Sequence, residues 1–570
     1  MTSTLDRIVP GWAMLRSYPA RNLGPDLVAG LSVAAVALPV GIAYSDIAQV
    51  PAVVGIYSAI FPLFAYALFG SSRQLMIGPD AATCIMAATA VAAIAGGDPQ
   101  HHAAIMVALT LTTGLFYLGA GVLRLGFLAN FLSQPILVGY LNGIALLVLI
   151  GQLPKLFGFA PRGSGFLAQV AGFFGNLHAT NPTTLLLGLS LLVLLLVLRR
   201  FTPRVPAPLV VAAAGVAAVA ILHLEERGVA VLGAVPAGVP ALRLPSIAVG
   251  DIGPLLQHAA GLTLISFTSG VLTSKSFARR SGYEVDANRE LIGFGAGNLI
   301  SGLAQGFPVT GADSRTAVNI ASGGRSQMAG IVAGGAMLVF LLFLTAPLSQ
   351  LPTAALAAII IVSATGLFDL GALRTLLRAS GREWTFSVIT TAGVLLLGVL
   401  PGVMLAIGLS LLWLLWLGSR PHEAVLGRVP GMAGLHDTEL HPDAATIPGL
   451  LIYRFDSNLV FFNCDRFKDR VRARIGEATA PVEWVVIDAS PINIVDFTAL
   501  QGLAELRKDL EGRGIRLAFA RAKGSLRRYF RQDARTAVER PGGEIFETVE
   551  AAIAAFEEQS GPKSKVARPG

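Results

Sequence analysis

A chain of 570 residues that is 54% apolar and only 14% charged cannot be one soluble domain, because single hydrophobic cores stop growing near roughly 250–300 residues. The formal charge of +8 would suit a nucleic-acid partner in a soluble protein. In a membrane chain the placement of Lys and Arg carries the meaning instead, and no nucleic-acid partner is expected. Cys84 and Cys464 are too few for a disulfide framework, no cofactor or metal site stands out, and no catalytic constellation points to an enzyme.

Residues 1–24, with Asp6, Arg7, Arg16 and Arg21 ahead of the first apolar run, read as a cytoplasmic lead-in and not as a cleavable signal peptide. Trp12 and Tyr18 then sit at headgroup depth. Residues 25–420 hold apolar runs of membrane-spanning length, which takes roughly 20 residues of helix. Runs at 27–43 and 53–69 precede a short helix over 80–94 that stops at Gly96-Gly97-Asp98-Pro99. Further runs lie at 103–123, 135–150, 183–198 and 208–222, and the Leu-rich run at 183–198 is expected to face lipid. The run at 252–274, rich in Thr, Ser and Gly, is expected to face the protein interior. A run at 291–303 leads to a second short helix over 313–320, and runs at 329–344, 354–370, 385–400 and 403–417 complete fourteen segments.

The two short helices share a signature. Gly78-Pro79-Asp80-Ala81-Ala82-Thr83 and Gly311-Ala312-Asp313-Ser314-Arg315-Thr316 both read G-x-D-[AS]-x-T, at the third and tenth segments. Each follows an extended stretch, Gln74-Leu75-Met76-Ile77 or Phe307-Pro308-Val309-Thr310. Asp is a favoured N-cap, so Asp80 and Asp313 read first as the caps of two half-helices, with a proton- or cation-coupling role as the competing reading. Half-helices at matching positions of two halves mark a transporter's binding site, and their positive dipole ends suit an anion. Seven segments per half is an odd number, which inverts the second half in the membrane. With the N-terminus in the cytoplasm, the loop charges from Arg73 and Arg124 through Arg279 and Arg280 to Arg378 and Arg420 fall inside. Only Lys155, Arg162, Arg227 and Arg243 fall outside, as the positive-inside rule requires.

Residues 421–446 read as a linker and 447–557 as a small soluble α/β domain. Strands are expected at 450–455, 459–462, 484–488 and 515–520, with helices at 464–475 and 497–511. Thr498 reads as a helix cap before a phosphorylation site, and Arg527, Arg528, Arg531 and Arg535 as a solvated face before a site for a phosphorylated partner or anionic lipid. Residues 558–570 read as a disordered tail.

These residues together resemble the SulP sulfate-permease family of inorganic anion transporters over nearly the whole length. The resemblance is carried by Pro39-Val40-Gly41-Ile42-Ala43-Tyr44, Gly55-Ile56-Tyr57-Ser58, Phe69-Gly70-Ser71-Ser72-Arg73 and Gly78-Pro79. It is carried equally by Pro308-Val309-Thr310-Gly311 through Asn319, and by Asp488 with Val495-Asp496-Phe497-Thr498 in a domain that resembles STAS. The resemblance implies an α-helical membrane protein built as a seven-plus-seven inverted repeat, with UraA-like core and gate domains and a soluble α/β STAS domain. It further implies an anion between segments three and ten and elevator-like motion of the core (segments one to four and eight to eleven) against the gate. A homodimer in the inner membrane, with both termini cytoplasmic and a cytoplasmic regulator acting through STAS, is the implied setting.

Arg315 is the leading substrate-binding candidate, because ionisable groups inside a membrane are functional by default. Ser314 adds a hydroxyl and an N–H at a helix start, Thr316 follows in the motif, and Ala81 and Ala82 offer backbone N–H groups. Tyr44, beyond the Pro39 break, is expected to line the site. Many relatives carry a carboxylate in segment eight, tied to a coupling cation or proton; the matching position here is Ser269. Thr268, Ser269 and Thr273 therefore form a neutral coupling region, and the choice of H⁺, Na⁺ or no coupling ion stays open. Sulfate, bicarbonate or a dicarboxylate is the expected substrate. The competing readings are a nucleobase–cation symporter of the same fold, a channel-like anion conductor and a membrane-tethered STAS sensor.

Overall fold

Proline, glycine and Asx residues set the ends of the membrane helices, and the apolar runs fill them. A computed structural model describes residues 9–130, 133–160, 165–202, 205–524, 527 and 545–560. Asp6, Arg7, Arg162, Arg204, Arg528, Arg531, Arg535 and the expected tail beyond 560 lie outside the described residues.

The chain divides into two compact units, Met1–Gly408 and Leu409–Gly570. The first runs through α1 (Pro10–Arg16), α2 (Leu23–Ile47), α3 (Ala52–Phe69), β1 (Ile77–Gly78), α4 (Ala81–Ala95), α5 (Pro99–Val122), α6 (Gln134–Phe157), α7 (Phe166–Gly175), α8 (Pro182–Phe201) and α9 (Ala207–Leu222). It continues with α10 (Ile252–Arg280), α11 (Ala287–Leu303), β2 (Thr310–Gly311), α12 (Asp313–Ala321), α13 (Met328–Phe343), α14 (Thr353–Thr365), α15 (Leu370–Ala379) and α16 (Gly381–Leu397), and α17 (Val399–Ser419) runs across the division. Eight helices among the described residues are long and apolar enough to cross a membrane. The 183–198 run became α8, which buries only Thr184, Gly188, Leu191 and Leu195 and leaves Leu186 70% exposed, the lipid-facing character its leucines predict.

Packing sorts these helices into two groups. In the first, α11 lies against α5 and α3, α13 against α2 and α3, α12 against α2, and α10 against α4 and α5. In the second, α6 lies against α16 and α14, and α8 against α9 and α14. The two groups meet where α9 and α14 touch α2. Several helices run longer than their apolar cores, as α6 and α10 do, and two elements depart from the sequence reading. The run expected to reach 370 stops at Thr365, and Asp369 caps a separate helix, α15, by accepting from the Ala372 amide. The helix α7 was not foreseen, because ten residues bounded by glycine are too few to span a bilayer.

The second unit carries a six-stranded sheet in the order β4-β3-β5-β6-β7-β8, with β3 (Glu423–Gly427), β4 (His436–Asp437), β5 (Leu450–Phe455), β6 (Trp484–Asp488), β7 (Arg516–Ala520) and β8 (Ile545–Phe546). Strands β5 to β8 are parallel, and β3 is antiparallel to both β4 and β5. Alternation along β6 divides the core: Val485 and Ile487 pack with α18 (Cys464–Glu477) and α19 (Phe497–Gly512). Trp484 and Val486 pack with α20 (Val549–Ser560). The 421–446 stretch is therefore not a plain linker, since β3 and β4 begin the sheet inside it. Residues 459–462 form no strand; Leu459 makes a single bridge to Val495. Asp496, not Thr498, caps α19 by accepting from the Ala499 amide at 2.8 Å. Residues 558–560, expected in the tail, belong to α20.

Candidate functional site

An extended stretch inside a membrane domain must have every peptide group satisfied by protein. Both stretches leading to the half-helices are braced by side chains of neighbouring elements. Ahead of α4, the Asn319 amide donates to the Gln74 carbonyl at 2.8 Å, and the Gln327 amide donates to the Ser72 and Leu75 carbonyls at 2.9 Å each. Ahead of α12, Asn298 behaves as a strand partner: it accepts from the Val309 N–H and donates to the Val309 carbonyl, both at 2.9 Å. Ser301 and Ser58 hold the two sides of Phe307. None of these braces was read from the sequence. The available signal was an Asn among small and apolar neighbours at 298 and 319; Gln327, after Gly-Gly-Arg-Ser, carried none.

The two stretches then pair with each other. Ile77 faces Gly311 and Gly78 faces Thr310 in an antiparallel ladder, so the starts of α4 and α12 are brought side by side. Helix α10 ties both together along one face. Ser266 shares a 3.1 Å hydrogen bond with Thr83 of α4 and accepts from the Thr310 hydroxyl, while Thr273 donates at 2.6 Å to Asp313 of α12. Residues 266, 269 and 273 recur at i, i+3 and i+7, the spacing of a single helix face. Of the coupling region, Thr273 is thus occupied by Asp313, Ser269 lies half-buried between the two ties, and Thr268 turns its hydroxyl back to the Leu264 carbonyl. Thr268 is removed from the site by that bond.

The two helix starts are chemically unequal. Asp80 caps α4, its carboxylate accepting from the Ala82 and Thr83 amides at 3.2 and 3.5 Å. Ala82 consequently does not offer its N–H to a ligand, and Ala81 and Ala82 are buried wall residues. At α12 the expected cap is absent: Ala312 is the N-cap, and Asp313 is the first helical residue with its side chain turned to Thr273. The correction has a geometric cause. A cap needs the extended backbone conformation just before the helix, and the ladder places Ala312 there, at φ −104° and ψ 115°. The first-turn amides of α12 therefore have no side-chain cap, and uncapped amides of this kind are donors an anion can use.

Arg315 is buried, 2% exposed, and donates through Nη2 to the Pro79 carbonyl. Its Nε and Nη1 have no hydrogen-bond partner among the described residues. Gly78 makes room for it: a Cβ there would lie 2.6 Å from Nη1, at a backbone φ of +151°. Ser314 is exposed beside it, whereas Thr316 is fully buried and accepts from the Met76 amide at 3.0 Å. Thr316 is thereby a structural tie and not a ligand-facing hydroxyl. Tyr44, on α2, is buried and within electrostatic reach of Asp80 and Arg315. The structure brings Tyr44, Asp80, Asp313, Ser314 and Arg315 together and withdraws Thr316, Thr268 and the Ala82 amide. Among the described residues no group of three or more His, Cys, Asp or Glu could hold a metal ion.

This geometry has known relatives. The profile of the sulfate permease family matches residues 23–390, and that of the STAS domain matches 441–552. The chain belongs to the sulfate permease family. Its membership makes it a member of a family of transporters, not of enzymes. This permease is 41% identical over 548 residues to a probable sulfate transporter of Mycobacterium tuberculosis (strain ATCC 25618 / H37Rv), covering 96% of this chain and 98% of the relative. It is 30% identical over 535 residues to the chloroplastic sulfate transporter 4.1 of Arabidopsis thaliana, covering 90% of this chain and 78% of that one. Its fold matches the murine Solute Carrier 26 family member A9 anion transporter in the inward-facing state, with a TM-score of 0.90 at 21% identity over 98% of this chain and 95% of that chain. It also matches the transmembrane domain of a cyanobacterium bicarbonate transporter, BicA, with a TM-score of 0.61 at 27% identity over 68% of this chain and 98% of that one.

Proposed function

We propose that this permease carries a small anion across the inner membrane, bound at the start of α12 opposite the start of α4. The observation that carries the reading is Arg315, a buried guanidinium with two unpartnered nitrogens next to uncapped helix amides. Buried guanidinium nitrogens without acceptors are costly, so a ligand that supplies acceptors to Nε and Nη1 is the natural resident. Its relatives' names favour sulfate, with bicarbonate supported by the likeness to BicA; a dicarboxylate is the third choice. Elevator-like movement of the α2–α5 and α10–α13 group against the other helices is the proposed mechanism, in a homodimer with both termini cytoplasmic. In this reading there are fourteen membrane segments, residues 25–420 are the transport domain, and the STAS domain receives a cytoplasmic regulator.

Uptake of labelled sulfate, bicarbonate and fumarate into proteoliposomes tests the reading. Arg315→Ala is expected to weaken anion binding about 10- to 100-fold, the worth of about 1.5–3 kcal/mol for hydrogen bonds to a charged group. Movement of a neutral nucleobase but of none of these anions sinks the anion assignment. Full uptake by a folded Arg315→Ala protein sinks the site.

A further inference from the structure

The second unit carries an apolar surface that none of its described strands or helices covers. Phe461, Ile494 and Phe497 are 66%, 57% and 69% exposed, and the Phe462 ring meets that of Phe461 edge-on, with centroids 5.3 Å apart. These side chains come from the loop after β5 and the loop after β6, which leave the sheet at the same edge because the two strands are parallel. The loops spend their polar groups on each other. Leu459 bridges to Val495, and the Asn458 side-chain oxygen accepts from the Asn493 and Ile494 amides at 3.1 Å each. The Asp496 carboxylate accepts from the Phe461 amide at 2.7 Å. What remains pointing outward is carbon on a braced platform. Single exposed apolar residues are ordinary, whereas a cluster of large ones rimmed by polar groups marks a contact surface.

The end of α17 indicates what makes the contact. Residues 409–419 of this membrane-length helix belong to the second unit, and its Leu412, Leu414 and Leu417 are exposed, as on a helix that faces lipid. Trp413 and Trp416 stack at 4.6 Å, and the Arg420 guanidinium lies 5.2 Å from the centre of the Trp416 ring. Aromatic and basic side chains of this kind collect where hydrocarbon gives way to headgroups. The platform is fastened at that level. Asn463, itself buried, donates to the Gly418 carbonyl at 3.1 Å and to the Asn458 carbonyl at 2.9 Å, which staples the helix end to the first loop. A Cβ on Gly418 would lie 3.2 Å from the Phe462 ring. The phenylalanines therefore extend the aromatic belt of α17 sideways. Exposed Arg420 and Lys523, the latter donating to the Asn493 side chain at 2.6 Å, flank the platform with positive charge.

We propose that this platform docks into the headgroup layer of the bilayer, with Phe461, Ile494 and Phe497 entering its apolar edge and Arg420 and Lys523 meeting anionic lipid phosphates. The STAS domain is then held to the membrane by its own loops as well as by the helix it follows, whatever the transported anion. Continuity with α17 selects lipid over a second copy of the chain, because the platform starts beside Gly418, the neighbour of the lipid-facing Leu417.

The test uses the full-length protein in vesicles of phosphatidylethanolamine and phosphatidylglycerol, with Phe461 or Phe497 replaced by p-benzoylphenylalanine, which ultraviolet light links to a neighbouring C–H bond. Met432 is the control position, exposed in the turn after β3 at the opposite edge of the sheet. Both phenylalanines are exposed, so the fold is expected to be kept, as an unchanged melting temperature checks. Peptides carrying positions 461 and 497 are expected to gain the mass of one lipid, at roughly tenfold the yield seen at 432. Linkage to a second copy of the chain, read as a doubled mass, or to the chain's own membrane helices, in place of lipid, overturns the proposal. Absence of any adduct at 461 and 497, or equal lipid yield at 432, overturns it too. Exchanging phosphatidylglycerol for phosphatidylcholine is expected to lower the yield several-fold, and to change it little in protein that also carries Arg420→Gln and Lys523→Gln. A yield indifferent to lipid charge overturns the part given to the two cations.

Discussion

The hydroxyl of Thr316 and the carboxylate of Asp313 lie within one helical turn, and both are spent on neighbours that the chain reaches only after long detours. Thr316 accepts from Met76, 240 positions away, inside a fully buried setting. Thr316→Val keeps the shape and leaves that N–H without an acceptor, which costs about 1–3 kcal/mol. The expected outcome is a lower melting temperature in detergent with anion affinity kept. Weakened affinity at an unchanged melting temperature would place the hydroxyl at the ligand after all. Arg315 is the reverse case: its intramembrane charge was legible as functional from the sequence. Its contact with Pro79 and its two open nitrogens were not, because they depend on how β1 is laid against β2.

At the scale of elements, the ladder of β1 and β2 decides how closely the two helix starts approach. Gly78 and Gly311 sit in the same ladder but face different neighbours. A Cβ at Gly78 meets Arg315 Nη1 at 2.6 Å on a backbone at φ +151°, whereas at Gly311 it meets Leu75 at 3.2 Å and the Gly270 Cα at 3.3 Å without a strained φ. Gly78→Ala is therefore expected to cost about 1–3 kcal/mol and to displace the guanidinium, reducing uptake far more than Gly311→Ala. Equal uptake by the two variants would show that the ladder does not set the guanidinium's place. The two helix groups are also joined by an ion pair between Asp46, near the end of α2, and Lys155, near the end of α6. Both side chains are partly exposed, at 35% and 19%, so the pair is worth no more than about 1 kcal/mol. Asp46→Asn and Lys155→Gln are each expected to change the uptake rate several-fold at low salt and little at high salt. The charge-swapped double variant is expected to recover the wild-type rate; additive effects in that double-mutant cycle would show that the pair is not coupled.

Each of the two units holds one buried cysteine, Cys84 in the first and Cys464 in the second. Burial pushes the Cys464 thiol up to about 11, with Lys468 opposing, and only the thiolate reacts. The native full-length protein is thus expected to resist maleimide at neutral pH at both positions. Because the units have separate cores, rising urea should expose Cys464 and Cys84 at different concentrations, read by peptide mass mapping. Simultaneous labelling would mean that the two units unfold as one. The division itself was visible as a change in texture after about residue 447, but the sheet starts earlier. The strand β3 is five residues beside a proline, and only its pairing with β5 identifies it.

The sequence by itself determined the apolar helices, the paired G-x-D starts, the cap at Asp80, the charge at Arg315 and the family. These are properties of composition, local spacing and motif, which survive without knowledge of the partners. The tertiary structure alone decided that Asp313 answers to Thr273 instead of its own helix, that Thr316 and Thr268 turn away from the site, and that Asn298, Asn319 and Gln327 hold the extended stretches. Thr268 answers to the preceding turn of its own helix. For the others a hydrogen-bond partner is chosen by which group is brought within about 3 Å, and inside a membrane domain that is settled by how separate segments pack.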